Sequence, residues 1–260
     1  MVNEGQIAEQ DFEGYFEEKG QRKKQSNSIP EEGFVLVTLP DLSTLKIQIN
    51  ETALLKEIYG YKVYELHHII GKDDVVIDAG AHVGVFSIKA ALQGAKVFAF
   101  EPEPSNFEIL KNNVERNQLP NIVCHNCALG HISGTFKFWI HPFLSGSHSL
   151  GFKQEKWIPV RVETLDTILK EEAVSQIDLF KIDVEGSELE VLQGSQETLE
   201  ITENLAIAAY HFKNEPERLK QYLDPFGFQI EVEDSGPFRD SHFLYGKKSE
   251  TIGERRPRTN

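Results

Sequence analysis

Short apolar runs alternate with amphipathic stretches along most of the chain. Val75-Val76-Ile77, Val97-Phe98-Ala99-Phe100, Ile122-Val123, Asp178 to Ile182 and Leu205 to Ala209 are brief and nearly continuous in apolar character, as strands buried on both faces should be. Between them the period changes. A helix is predicted from Val85 to Leu92, closed by Gly94, and a second one carries Phe107, Leu110 and Val114 on one face with Ser105 as its cap. Ser187-x-x-Glu190 predicts a capping box after the fourth of these strands, and a further helix surrounds Arg218 to Leu223. Two late strands are expected near Phe228 to Val232 and His242 to Tyr245. Upstream, Phe34 to Val37 and Leu45 to Ile49 flank a Pro40-Asp41 turn and read as a hairpin. Thr52 to Ile70 is mixed, with helix expected in its second half and His67-His68 at that helix's end. Thr135 to Ile140 alternates like a hairpin arm of packed aromatic residues, and Ser145 to Ser149 follows as a polar loop or substrate cover.

Alternation of this kind produces right-handed crossovers. The predicted fold is therefore α/β, a doubly wound and mostly parallel seven-stranded sheet with an N-terminal hairpin extension. Its ligand belongs at the carboxyl ends of the strands. The expected divisions are an arm at 1–30, a hairpin and helix extension at 31–72, the main domain at 73–246 and a tail at 247–260.

Composition narrows the possible partners. The net charge of −14 gives phosphate backbones no electrostatic attraction, so no nucleic-acid partner is expected. The basic clusters Arg22-Lys23-Lys24 and Lys247-Lys248 with Arg255, Arg256 and Arg258 read as solvated tails. No apolar run is long enough for membrane insertion, and the N-terminal stretch has no apolar signal core. Cys124 and Cys127 imply neither a disulfide framework nor a metal or redox pair, and a cytoplasmic location is expected.

The first strand of the main domain runs through Asp78-Ala79-Gly80-Ala81-His82-Val83-Gly84 into a helix. Gly80 and Gly84 allow a tight turn and close approach of a ligand to backbone. Asp78 places a carboxylate where a pyrophosphate would need room, which suits a cationic ligand and disfavours a nicotinamide-dependent dehydrogenase. Glu101 ends the next strand, where a carboxylate can accept the hydroxyls of an adenosine ribose.

VVIDAGAHVGVFSI, FAFEPEPSNFEILKNNV, CALG with SGTFKF, VETLDTIL and FKIDVEGSELEVLQG together resemble the FkbM family of class I methyltransferases over about Val75 to Val232. The resemblance implies S-adenosyl-L-methionine as cofactor and O-methylation of a small molecule or glycan. It implies that Asp78, Gly80, His82 and Gly84 hold the amino-acid end of the cofactor, that Glu101 holds the ribose, and that Cys127 and Ala128 lie beside the adenine. His82 stands where the family carries Asn, and a His near position 211 is also a family trait, here after Ala209 rather than an acid.

Lys181, Asp183 and Glu185 leave the fourth strand on one side. Lys181 is expected to pair with Asp183 or Glu185, and Asp183 faces the expected methyl-transfer cleft. His211 leaves the adjacent strand and is the candidate base that accepts a hydroxyl proton, with Asp183 and Glu185 orienting it or the substrate. Asp183 with Glu185 or His211 could hold Mg²⁺, but without a dedicated acidic cluster no metal site is assigned. The competing reading is a catalytically inactive regulatory module that keeps the cofactor pocket alone.

Overall fold

A computed structural model describes residues 34–39, 41–48, 52–141, 147–234 and 242–249. The predicted arm at 1–30, most of the loop around Ser145 and the tail beyond 249 lie outside the described residues.

Twelve strands are described, and seven of them form the main sheet. In chain order these are β3 (Val75–Ala79), β4 (Lys96–Phe100), β5 (Ile122–His125), β9 (Ile177–Ile182), β10 (Thr202–Ala208), β11 (Phe228–Asp234) and β12 (His242–Lys248). Their lateral order is β11-β12-β10-β9-β3-β4-β5, and β12 runs antiparallel to both neighbours. The chain starts in the centre, winds out to β5, then crosses back to β9 and β10. The seven-stranded, mostly parallel, doubly wound prediction holds. Lys247 and Lys248, expected in the tail, belong to β12.

Alternating residues of each strand enter different cores. Val76, Val97 and Leu179 face one cluster with α2 (Val85–Leu92), α3 (Pro104–Arg116) and the hairpin. Ile77, Phe98 and Phe180 face the other, with α4 (Leu165–Glu171), α5 (Glu188–Gln193), α6 (Gln196–Glu200) and α7 (Glu215–Leu223). Period-two geometry buries both faces, which is why these runs lack polar alternation.

The hairpin of β1 (Phe34–Thr38) and β2 (Thr44–Gln48) is as predicted. The outer edge of β2 is not left open. Asn117 accepts from Thr44 N (2.9 Å) and donates to Thr44 O (2.9 Å), while Asn113 accepts from Lys46 N (2.8 Å) and donates to Lys46 O (3.1 Å). The amide side chains of Asn113 in α3 and of Asn117 at its C-cap thus replace a neighbouring strand.

Three local expectations are corrected. Helix in the extension occupies Thr52–Leu55 (α1) and continues as a π-helical Lys56–Tyr61, in the first half of the segment. It ends at Lys62, whose left-handed backbone (φ 53°) bonds back to Glu57 O, so His67 and His68 lie in turns. The cap of α3 is Glu103, accepting from Asn106 N at 2.7 Å with Pro104 in the first turn. Ser187 forms no capping box; Glu188 instead accepts from Val184 N and Gly186 N. As expected of a hairpin arm, β7 (Gly134–Ile140) pairs antiparallel with the next strand of the chain, across a long loop. That strand is the unpredicted β8 (Lys156–Glu163), which also pairs with β6 (Ala128–Leu129), making a separate three-stranded sheet beside the strand ends. Phe138 of β7 is buried, whereas Phe136 is exposed.

Candidate active site

A cavity opens at the carboxyl ends of β3, β4 and β9. Gly80, His82, Glu101, Asp183 and Glu185 line its polar part, and Phe100, Cys127, Ala128, Leu129 and Phe138 line its apolar part. The structure brings these sequence-selected positions together, along with Ser187, His148 and Leu150.

Gly80 shows why the turn needs its residue type. Its φ is +80°, and a Cβ there would lie 1.8 Å from Asp183 O. Any side chain would force β3 and β9 apart. His82 also has a left-handed backbone (φ 53°), a conformation that Asn and His adopt more readily than most residues. That accounts for His at a position of this turn where the resemblance expects Asn.

Glu101 is 5% exposed and accepts from His82 N and Glu103 N, both at 2.9 Å. Burial pushes its carboxyl up to about 7, against the pull of the His82 charge and of those two N–H groups.

Asp78 is placed differently from the expectation. It does not line the cavity but is fully buried beneath it, with Lys181 Nζ on Oδ1 (2.8 Å) and Ser87 Oγ on Oδ2 (2.5 Å). The parallel register sets Asp78 directly opposite Lys181, a cross-strand relation that reading along one strand does not reveal. Lys181 therefore pairs with Asp78, not with Asp183 or Glu185. It also donates to Ala79 O (3.2 Å) and Gly80 O (2.8 Å), so the pair shapes the glycine turn from below. Burial lowers the Lys181 pKa, yet Asp78 and Asp183 outweigh it and hold the ammonium above its ordinary value. Gly84 also lies away from the cavity wall; its φ of +90° starts α2, with Leu110 packed against it.

At the other side of the cavity, Asp183 accepts from Tyr64 OH (2.7 Å), a partner from the extension that the sequence reading missed. Glu185 has a left-handed backbone (φ 57°) just before Gly186 (φ 92°), and Ser149 Oγ donates to its carbonyl at 2.5 Å. Strained backbone of this type costs of order 1–3 kcal/mol and persists where packing over-determines it.

His211 converges on Asp183 and Glu185, as predicted, but it meets two further acids. Nε2 is 3.9 Å from Asp183 Oδ1 and 3.6 Å from Glu185 Oε2; Nδ1 is 3.2 Å from Glu188 Oε1 and 3.6 Å from Glu215 Oε2. Burial opposes charge on the ring, but Glu185, Glu188 and Glu215 outweigh it and raise its pKa far above the ordinary value. The acids around it thus favour the charged form of the ring, which works against use of His211 as a general base. Glu188 and Glu215 open the helices that follow β9 and β10, so the periodicity of the strands gave no signal for either.

Cys124 and Cys127 are free thiols, both pushed up to about 11 by burial, which keeps them protonated and unreactive at neutral pH. Cys124 lies on β5, whereas Cys127 follows it and enters the cavity wall.

The methyltransferase FkbM domain model matches residues 78–230, which carry the glycine turn, Glu101, Asp183 and His211. The chain belongs to the FkbM methyltransferase family. Among its curated relatives, methyltransferase sdnD of Sordaria araneosa is 26% identical over 218 residues, covering 70% of this chain and 84% of that one. Hexuronic acid methyltransferase AglP of Haloferax volcanii is 28% identical, with 68% and 72% covered. The 31-O-demethyl-FK506 methyltransferase FkbM of Streptomyces tacrolimicus is 29% identical, with 55% and 68% covered. The fold is similar to that of a putative rRNA methylase from Clostridium thermocellum (TM-score 0.50, 12% identity, 75% of this chain and 98% of that one). It is also similar to the METTL16 methyltransferase domain (TM-score 0.50, 18% identity, 88% and 76%). This FkbM-family chain is an S-adenosyl-L-methionine-dependent methyltransferase. The cavity fits that cofactor in chemistry, with a buried ribose-type carboxylate at Glu101, an apolar wall and a glycine turn open to close approach. No helix among the described residues is long and apolar enough to cross a membrane.

Proposed function

We propose that this methyltransferase acts on a hydroxyl of a small molecule or glycan. The observation that carries the reading is the acidic cavity wall: Asp183 and Glu185 line it, and Asp183 Oδ1 is buried without a hydrogen-bond partner. A neutral hydroxyl is a weak nucleophile and gains from a base positioned at its proton, whereas a thiol, which ionises nearer neutral pH, has less need of one. Asp183 takes that proton, because the acids around His211 favour the charged form of its ring, and Tyr64 holds the far carboxylate oxygen.

In this reading Glu101 accepts the ribose hydroxyls, and Gly80, His82 and Gly84 shape the turn that receives the amino-acid end. Cys127 and Ala128 pack against the adenine, and Asp78 supports the turn through Lys181. Bound there, S-adenosyl-L-methionine supplies an electrophilic methyl group carried on a sulfonium. The rest of the rate comes from holding the acceptor oxygen in line with it. The names of two relatives, which specify a hexuronic acid and a 31-O-demethyl polyketide, support oxygen-rich acceptors. The net charge of −14 supports a small acceptor over a nucleic acid.

The test is turnover with methyl-labelled cofactor against uronic-acid saccharides, hydroxylated polyketides and RNA. A methyl ether on a saccharide or polyketide is expected. Label found on nitrogen, on carbon or in RNA alone would sink the proposal, and cofactor binding with no turnover on any class would favour a regulatory module.

A further inference from the structure

The surroundings of His211 hold more negative charge than the described cations offset. Four carboxylates, from Asp183, Glu185, Glu188 and Glu215, approach one imidazole, and Lys181 is committed to Asp78. Several of the polar atoms are also unsatisfied. Asp183 Oδ1, Glu188 Oε2 and both ring nitrogens of His211 are buried without a well-formed hydrogen bond. Glu188 is fully buried, and the His211 side chain is 5% exposed. Leaving such atoms unpaired is costly, about 1–3 kcal/mol each and more for charged groups.

Nδ1 lies 3.2 Å from Glu188 Oε1, within hydrogen-bond range, but the other side of the ring is less closely met. The 3.9 Å from Nε2 to Asp183 Oδ1 is too long for a hydrogen bond. Two donors on a single ion with bonds of about 2.1 Å lie at most about 4.2 Å apart, and about 5 Å apart on a larger ion. One ligand atom each from Asp183, Glu188 and His211 falls within 4.8 Å of the others. Asp183 also borders the cavity, which gives an entry path. Glu215 accepts from His211 N (2.7 Å) and fixes the backbone behind the ring.

The geometry points to a divalent-cation site formed by Asp183, Glu188 and His211, with Glu185 and Glu215 completing its negative surroundings. One imidazole, which gives up its ring proton when the ion binds, with two carboxylates suits ions such as Mn²⁺ or Zn²⁺. The strand-based reading assigned no such site because Glu188, on α5, supplies the third ligand. If the acceptor is a hydroxyl, the ion would bind and acidify it in place of direct proton transfer to Asp183. That consequence rests on the proposed function; cation binding does not.

The experiment uses the full chain, stripped with a chelator and titrated with Mn²⁺ followed by electron paramagnetic resonance, then with Zn²⁺ by calorimetry. One ion per chain is expected. Glu188→Gln and Asp183→Asn should each weaken binding by about tenfold or more, the scale seen when groups around a metal are removed. Circular dichroism confirms that each variant is folded, and Asp183→Asn, at a partly exposed position, serves if Glu188→Gln is not. A second cluster of exposed groups, His67 with Glu231 and Glu233, is the control; His67→Ala should leave the stoichiometry and affinity unchanged. The site is refuted by the absence of saturable binding of either ion up to about 1 mM, about 4 kcal/mol of affinity. Binding lost in His67→Ala but kept in Asp183→Asn refutes it equally. Turnover assayed with and without chelator then separates this result from the identity of the acceptor.

Discussion

Asp78 illustrates how one residue can be conspicuous for a reason other than contact with a ligand. Asp78→Ala leaves the Lys181 ammonium buried without its counter-charge, and breaking such a pair costs about 3–5 kcal/mol. Urea unfolding should show a loss of that size, so reduced cofactor affinity in this variant would accompany a weakened fold. Glu101 gives the cleaner test of the cofactor pocket. Its buried carboxyl titrates near 7, above the ordinary 4.5, so the cofactor-free fold is favoured while it is protonated and loses that advantage as pH rises through about 7. Ribose hydroxyls donate to the ionised form. Cofactor affinity should therefore strengthen from pH 6 to 8 by calorimetry, and Glu101→Gln should be weaker and flatter over that range. Glu101, Gly80 and Asp183 were legible in the sequence because strand ends of a parallel sheet meet at one edge. Tyr64, Glu188 and Glu215 were not, since they enter that edge from the extension and from two helices. Against burial, Glu185, Glu188 and Glu215 pull the His211 pKa upward, and two of those three belong to the helices.

The helix α3 does more than cover the sheet. Asn113 is fully buried and bonds to Lys46 N, Lys46 O and Val83 O, joining the hairpin to the loop below the glycine turn. Asn113→Ala strands those three backbone groups, with an expected loss of about 1–3 kcal/mol in urea unfolding. Amide exchange at Lys46 should accelerate, whereas exchange in β9 should change only by the global loss. Apolar periodicity located α2, α3 and the main strands because burial on both faces leaves a strong pattern. It missed β8, where Lys156-Trp157-Ile158-Pro159 mixes charge, exposed aromatic and proline on a strand outside the main core. The cap of α3 was misplaced by two residues because Glu103 and Ser105 are both plausible acceptors and only the backbone path at Pro104 chooses between them.

The molecule as a whole puts its cavity between the main sheet and the smaller β6-β8-β7 sheet, so a ligand bound there would bridge two layers. At a concentration one hundred times its dissociation constant, the cofactor should stabilise the native state by about 2.7 kcal/mol. For a chain of this size that corresponds to a rise in melting temperature of about 5–10 °C, measurable by calorimetry. The sheet order carries a different consequence. β12 lies between β10 and β11, although it is made after both. A nascent chain that has just released β11 has nowhere to seat it, since the slot beside β10 belongs to residues still inside the ribosome. Closure of the sheet must then wait for β12, and until that strand arrives the half-built sheet would offer β10 as an open edge to chaperones.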